Sequence, residues 1–125
     1  MSAGLIAAHI GVDIGTTGAR AVVFVRDGQA MHASTRTYPL LAPRPGWAAQ
    51  NPGTVSDATT AVLSEASRWA RDHSYSVRAV GLSAILHSVL PMDANGDALD
   101  DALICADTRG DDEARAIRAS CDPIR

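Results

Sequence analysis
The apolar residues of the chain fall first into three short runs of β-branched and small aliphatic side chains. Leu5–Ile14, Ala19–Arg26 and Gln29 to about Tyr38 therefore predict three consecutive strands. Asp27-Gly28, between the second and third, is a two-residue hairpin turn, because both residues accept positive φ. The third run alternates only loosely, as an outer strand does. Pro39, Pro43, Pro45 and Gly46 then break any regular pattern. The period changes at Asn51-Pro52, where an amide cap precedes a proline suited to a first helical turn. Val55, Ala58, Val62, Ala66 and Trp69 recur at three- and four-residue spacing, which predicts a helix ending near His73. Val77–Ser83 reads as a buried strand, Val89–Met92 leads into a turn at Asp93–Gly96, and Leu103–Cys105 reads as a short strand. A last helix is expected from Thr108 or Arg109, amphipathic through Ala114, Ile117 and Cys121, and stopped by Pro123.

Three antiparallel strands, a helix and a further strand form the opening of an RNase H-like α/β domain, whose first hairpin faces the central cleft. A compact α+β sandwich around a chance loop stays open on pattern alone. Composition narrows the function classes. A length of 125 residues fits one domain. With 46% hydrophobic and 20% charged residues, the chain can bury a core. Only 4% of residues are aromatic, so that core must be Ala, Val, Leu and Ile. A net charge of −3 gives no electrostatic reason to bind nucleic acid. Ser2–Ile10 lacks a basic lead and soon meets Asp13, so neither a secretion signal nor a membrane span is expected. Cys105 and Cys121 lack metal-site spacing and are expected as free thiols of a cytoplasmic protein.

The candidate chemistry lies at the tip of the first hairpin, Asp13-Ile14-Gly15-Thr16-Thr17-Gly18-Ala19-Arg20. A carboxylate ends one strand, a Gly/Thr loop turns the chain, and an arginine opens the next strand. Gly15 and Gly18 are expected to turn the backbone with their N–H groups outward. Thr16 and Thr17 add hydroxyls, and Arg20 adds a planar cation suited to phosphate oxygens. Asp13 can hold a metal ion directly or through water. The chain contains no lysine, which excludes a Walker A loop. A dinucleotide fingerprint needs a helix after its glycines, whereas Ala19 opens a strand. An ordinary glycine-containing hairpin with an incidental Asp remains the alternative.

Four segments in order carry a resemblance. Asp13–Arg20 resembles the first phosphate loop of the FGGY carbohydrate kinases, in the actin–hexokinase–Hsp70 superfamily. Pro45-Gly46-Trp47-Ala48-Ala49-Gln50-Asn51-Pro52 is similar to the family's Gly-Trp-x-Glu-Gln-Asp-Pro segment. Gly81-Leu82-Ser83-Ala84-Ile85-Leu86-His87-Ser88 resembles its sugar-binding stretch, and Ala106-Asp107-Thr108-Arg109 its Asp-x-Arg. The His87-Ser88 and Ala106–Arg109 versions look most like gluconate kinases. Leu86 and Cys105 stand where the family often has Met and Trp.

The resemblance implies ATP-dependent phosphorylation of a sugar or sugar acid, gluconate-like, with ATP and Mg²⁺ as cofactors. It assigns phosphate or ATP binding to Asp13, Gly15, Thr16, Thr17, Gly18 and Arg20, metal binding to Asp13, and substrate binding to His87, Asp107 and Arg109. Asp107 can equally cap the following helix. Residues 1–125 then make the N-terminal portion of the first kinase domain, incomplete, with the second domain and the general base lying beyond Arg125. A missing base typically lowers rate by about 10²–10⁴-fold, so little activity is expected of this chain alone. A non-catalytic sugar- or phosphate-binding remnant is the alternative. Apolar surface left where the rest of the domain would dock favours a homo-oligomer or aggregation. His9, His32 and His73 lack supporting neighbours in the sequence and read as structural or exposed. Trp47 and Trp69 read as packing residues, and Arg68 and Arg71 as a solvated helix face.

Overall fold
A computed structural model describes residues 4–121. Strands β1 (Ile6–Ile14), β2 (Gly18–Val25) and β3 (Ala30–Thr37) run antiparallel in sequence. A two-residue strand β4 (Ala49–Gln50) precedes helix α1 (Pro52–Asp72). Strand β5 (Tyr75–Ala84) then returns parallel to β1, giving the order β3-β2-β1-β5. Strand β6 (Ala102–Leu103) pairs with β4 in a second small sheet, and α2 (Asp111–Ser120) closes the described chain. The three predicted strands and the first helix are present, with ends shifted by a residue or so.

Alternation decides which face is buried. Ala8, Ile10 and Val12 of β1, and Ala19, Ala21 and Val23 of β2, point at α1 and are almost wholly buried. Val62, Ala66 and Ala70 answer from the helix, with Val55, Ala58 and Trp69 at the margin. Ile10, Val12, Val23 and Val62 are the large side chains that lose all contact with water. Each contributes about 1.5–3 kcal/mol relative to exposure. The odd residues of β1 and the even residues of β2, including Asp13 and Arg20, are left on the opposite face.

Asn51 caps α1: its side-chain oxygen accepts from Thr54 N at 2.9 Å, with Pro52 in the first turn. Arg68 and Arg71 are exposed, as expected. His32 and His73 do have neighbours in space, because both rings stack on Trp69 at 4.9 and 4.2 Å between centroids. Tyr75 adds a third ring, so Trp69 joins the end of α1 to β3 and β5.

Two expectations need correction. Val77–Ser83 is a strand but not a buried one: Val80 is 45% and Leu82 70% exposed. β5 is an outer strand of the sheet, and α1 lies mainly over β2 and β3, so among the described residues nothing covers its apolar row. The last helix begins at Asp111, because Asp107, Thr108 and Arg109 are engaged in tertiary bonds before it. None of its residues is buried, and Ile117 is 61% exposed, so among the described residues the Ala114–Ile117 stripe is not packed into the core. The stop at Pro123 lies outside the described residues. Cys105 and Cys121 are exposed free thiols. No described helix is long and apolar enough to cross a membrane.

Candidate functional site
The β1–β2 hairpin is not closed in the usual way. Gly15 N donates to Gly18 O at 2.9 Å, but the reciprocal bond from Gly18 N to Gly15 O is absent. The Gly15 carbonyl instead accepts the Tyr38 hydroxyl at 2.7 Å and Gln50 Nε2 at 3.4 Å. Gln50 Nε2 also donates to the Thr16 carbonyl, and Tyr38 N donates to the Thr17 carbonyl at 3.0 Å. Among the described residues, the N–H and hydroxyl groups of Thr16 and Thr17 have no protein partner, and both residues are exposed. The Gly15 amide is consumed inside the hairpin, whereas the amides of Thr16 and Thr17 stay open beside their hydroxyls, and Gly18 N, which does not bond Gly15 O, is not taken up there either.

The glycines serve close approach. A Cβ on Gly18 would stand 2.7 Å from Arg36 O of β3, and one on Gly15 would stand 3.3 Å from Gly18 O. Tyr38 and Gln50 are buried, at 6% and 3% exposure. Burial raises the Tyr38 pKa, and the nearby Asp13 carboxylate raises it further, so the hydroxyl remains a donor. Sequence reasoning assigned neither residue a role. The signal available was a glutamine just before the helix cap, inside a segment otherwise apolar.

Asp13 and Arg20 face each other across the β1–β2 ladder, both exposed, with no salt bridge between them. They line a groove of about 400 Å³ on the open face of the sheet. Gly11 and Gly81, paired across β1 and β5, lie in the same groove, so its floor carries no side chain at that level. Among the described residues no group of three or more His, Cys, Asp or Glu could hold a metal ion by itself. One exposed carboxylate beside open amides and hydroxyls fits Mg²⁺ only as a shared ligand, since that ion is commonly held by one or two carboxylates plus phosphate oxygens.

His87 is exposed and follows Ile85, whose N donates to Ile14 O at 2.9 Å at the end of β1, so it lies on the chain leaving the hairpin side of the sheet. Its φ of 61° is left-handed, an uncommon conformation for a residue with a Cβ. Asp107 and Arg109 are brought together, chiefly to each other. Arg109 Nε lies 3.0 Å from both Asp107 oxygens and its Nη2 2.8 Å from Oδ2, while Ala48 N donates to Oδ2 at 2.8 Å. The Asp107 side chain is 6% exposed, and the Arg109 guanidinium beside it holds its pKa well below the usual carboxylate range, with the Ala48 amide helping. Arg109 also lies over the Trp47 ring at 3.8 Å. Thr108 N and Oγ1 both donate to Gly46 O, completing a clasp between residues 46–48 and 107–109. Among the described residues no hydrogen bond joins His87 to this clasp. Val89 and Leu103 exchange two bonds at 2.9 Å, which places the chain after His87 beside β6.

Residues 8–123 match the N-terminal domain of the FGGY family of carbohydrate kinases. The gluconokinase of Bacillus subtilis is 31% identical over 110 residues, 87% of this chain and 21% of its own length. The glycerol kinase of Thermococcus kodakarensis is 30% identical over 76% of this chain and 19% of its own length. The solved xylulose kinase of Rhodospirillum rubrum superposes with a TM-score of 0.86 at 30% identity, over 92% of this chain and 24% of that one. Plasmodium falciparum glycerol kinase, solved with ADP, gives 0.86 at 15% identity and speaks to the fold alone. The chain thus spans about a fifth of the length of the curated relatives it matches. It belongs to the FGGY family of carbohydrate kinases and has, in part, the actin/hexokinase-like fold of their N-terminal domain.

Proposed function
We propose that the chain works as the N-terminal part of a longer kinase that transfers the ATP γ-phosphoryl group to a hydroxyl of a sugar acid of the gluconate type. The observation that carries this reading is the opened hairpin tip. Two amides and two hydroxyls, on Thr16 and Thr17, lack protein partners there among the described residues, and the tip is flanked by Asp13 and Arg20. Amides and hydroxyls at the tip would receive phosphate oxygens. Arg20 would balance charge spreading over the transferred group, and Asp13 would hold the Mg²⁺ that travels with ATP. When bound, that ion would supply charge neutralisation for the phosphates. The free outer edge of β5 and its exposed Val80 and Leu82 support a longer chain, in which further domain structure would cover them.

For the substrate, His87 would hydrogen-bond a hydroxyl, its left-handed backbone setting the direction in which the side chain leaves the chain. Arg109 keeps Nη1 clear of Asp107, so a sugar-acid carboxylate has a cation to meet. Asp107 then acts through Arg109 and touches no substrate itself. A cytoplasmic site of action accords with this chemistry, since ATP is made available there. The test is a phosphorylation assay of the full-length protein with gluconate, xylulose and glycerol. Preference for gluconate is expected. Preference for either other compound refutes the substrate assignment, and no turnover of any polyol favours a non-catalytic binding protein.

A further inference from the structure
We infer that Gln50, with Tyr38, is a positioning residue for the hairpin tip, turning its carbonyls inward and thereby its amides outward. The phosphate reading above enters only in what the amides then receive. A trans peptide holds its C=O and N–H in one plane and on opposite sides, and every peptide bond among the described residues is trans. Fixing the Gly15 carbonyl therefore fixes the direction of the Thr16 N–H, and fixing the Thr16 carbonyl fixes the Thr17 N–H. Both carbonyls are fixed by Gln50 Nε2, and the first also by the Tyr38 hydroxyl. The two lone pairs of the Gly15 carbonyl are thus occupied. Gly18 N cannot reclaim that oxygen to close an ordinary two-residue hairpin, which would draw the tip shut.

Gln50 is itself rigidly placed. It lies on β4, paired with Ala102 of β6, and Ala48, two residues before it, is tied to Asp107. A 3% exposed primary amide has no water to fall back on, and its nitrogen spends its donors on this loop. An apolar residue would fill the same space without that demand.

Three variants of the full chain, followed by ¹⁵N NMR, test the inference. Gln50→Met keeps length and shape without a donor. Its core resonances should hold while the Thr16 and Thr17 HN–Hα couplings move toward averaged values, and affinity for magnesium tripolyphosphate should fall about fivefold or more. Tyr38→Phe should do the same to a smaller degree, and serves if Gln50→Met does not fold. Gln50→Glu lacks the donor when ionised and regains an O–H donor when protonated. Its tip couplings should return toward wild type as pH falls, a profile that simple packing would not produce. Unchanged couplings in both Gln50→Met and Tyr38→Phe overturn the inference. If wild type fails to bind tripolyphosphate, the phosphate reading falls, while the couplings still decide the positioning.

Discussion
Gly18→Ala isolates how tightly the hairpin tip is seated. The added Cβ would lie 2.7 Å from Arg36 O, 3.3 Å from Thr37 Cα and 3.5 Å from Arg36 C. All three are backbone atoms of β3, or of the residues that end it, so none can rotate away as a side chain would. Relief requires β2 and β3 to separate next to the Tyr38 N to Thr17 O bond. Overpacking of this kind costs about 1–3 kcal/mol. Gly81→Ala has the same chemistry on β5, yet its Cβ meets nothing within 4 Å. Removing a strand glycine there should be neutral or stabilising by up to about 1 kcal/mol. The pair should therefore separate by about 2 kcal/mol, read as different urea midpoints at a common slope. Equal midpoints would refute the close seating of the tip on β3.

Asp107 has a lowered folded pKa, so it contributes stability above the ordinary carboxylate pKa of about 4 that is lost as pH falls below it. Asp107→Asn should therefore flatten the acid limb of a stability–pH curve, and an unchanged limb would show the Arg109 clasp to be inconsequential. His87 holds φ at 61°, so His87→Gly should leave the fold as stable or more stable by about 1 kcal/mol in thermal unfolding. His87→Ala in the full-length protein should weaken sugar binding by roughly 1–3 kcal/mol by calorimetry, with turnover much less affected.

The sheet and α1 were legible because each rests on local rules: short β-branched runs, an Asn cap before proline, and three- and four-residue spacing. The turn at Asp27-Gly28 was legible in place but not in type, since Val25 and Gln29 close a three-residue loop in which Gly28, and not Asp27, has positive φ. The exposure of Val80 and Leu82 was not, because an apolar run signals burial without saying which partner supplies it. The charged residues at the tip were legible in type, since Asp13 and Arg20 bracket the loop, although they form no salt bridge with each other. Which amides face outward was not, because that is decided by Tyr38 and Gln50, which lie 23 and 35 residues from Gly15 along the chain. The clasp was half legible. Asp107 and Arg109 stand out as a motif, but the setting of their pair depends on Ala48 and Trp47 arriving from a distant segment.

The central claim is that the carboxylate at the β1–β2 tip serves phosphoryl transfer. The direct measurement is turnover of ATP with gluconate by the full-length protein, wild type against Asp13→Asn. Asp13 is exposed, so the substitution should leave the fold intact, as circular dichroism would show. Turnover should fall by about 10²-fold or more, the scale of losing one electrostatic group in a transition state. A folded Asp13→Asn protein with wild-type turnover would contradict the account.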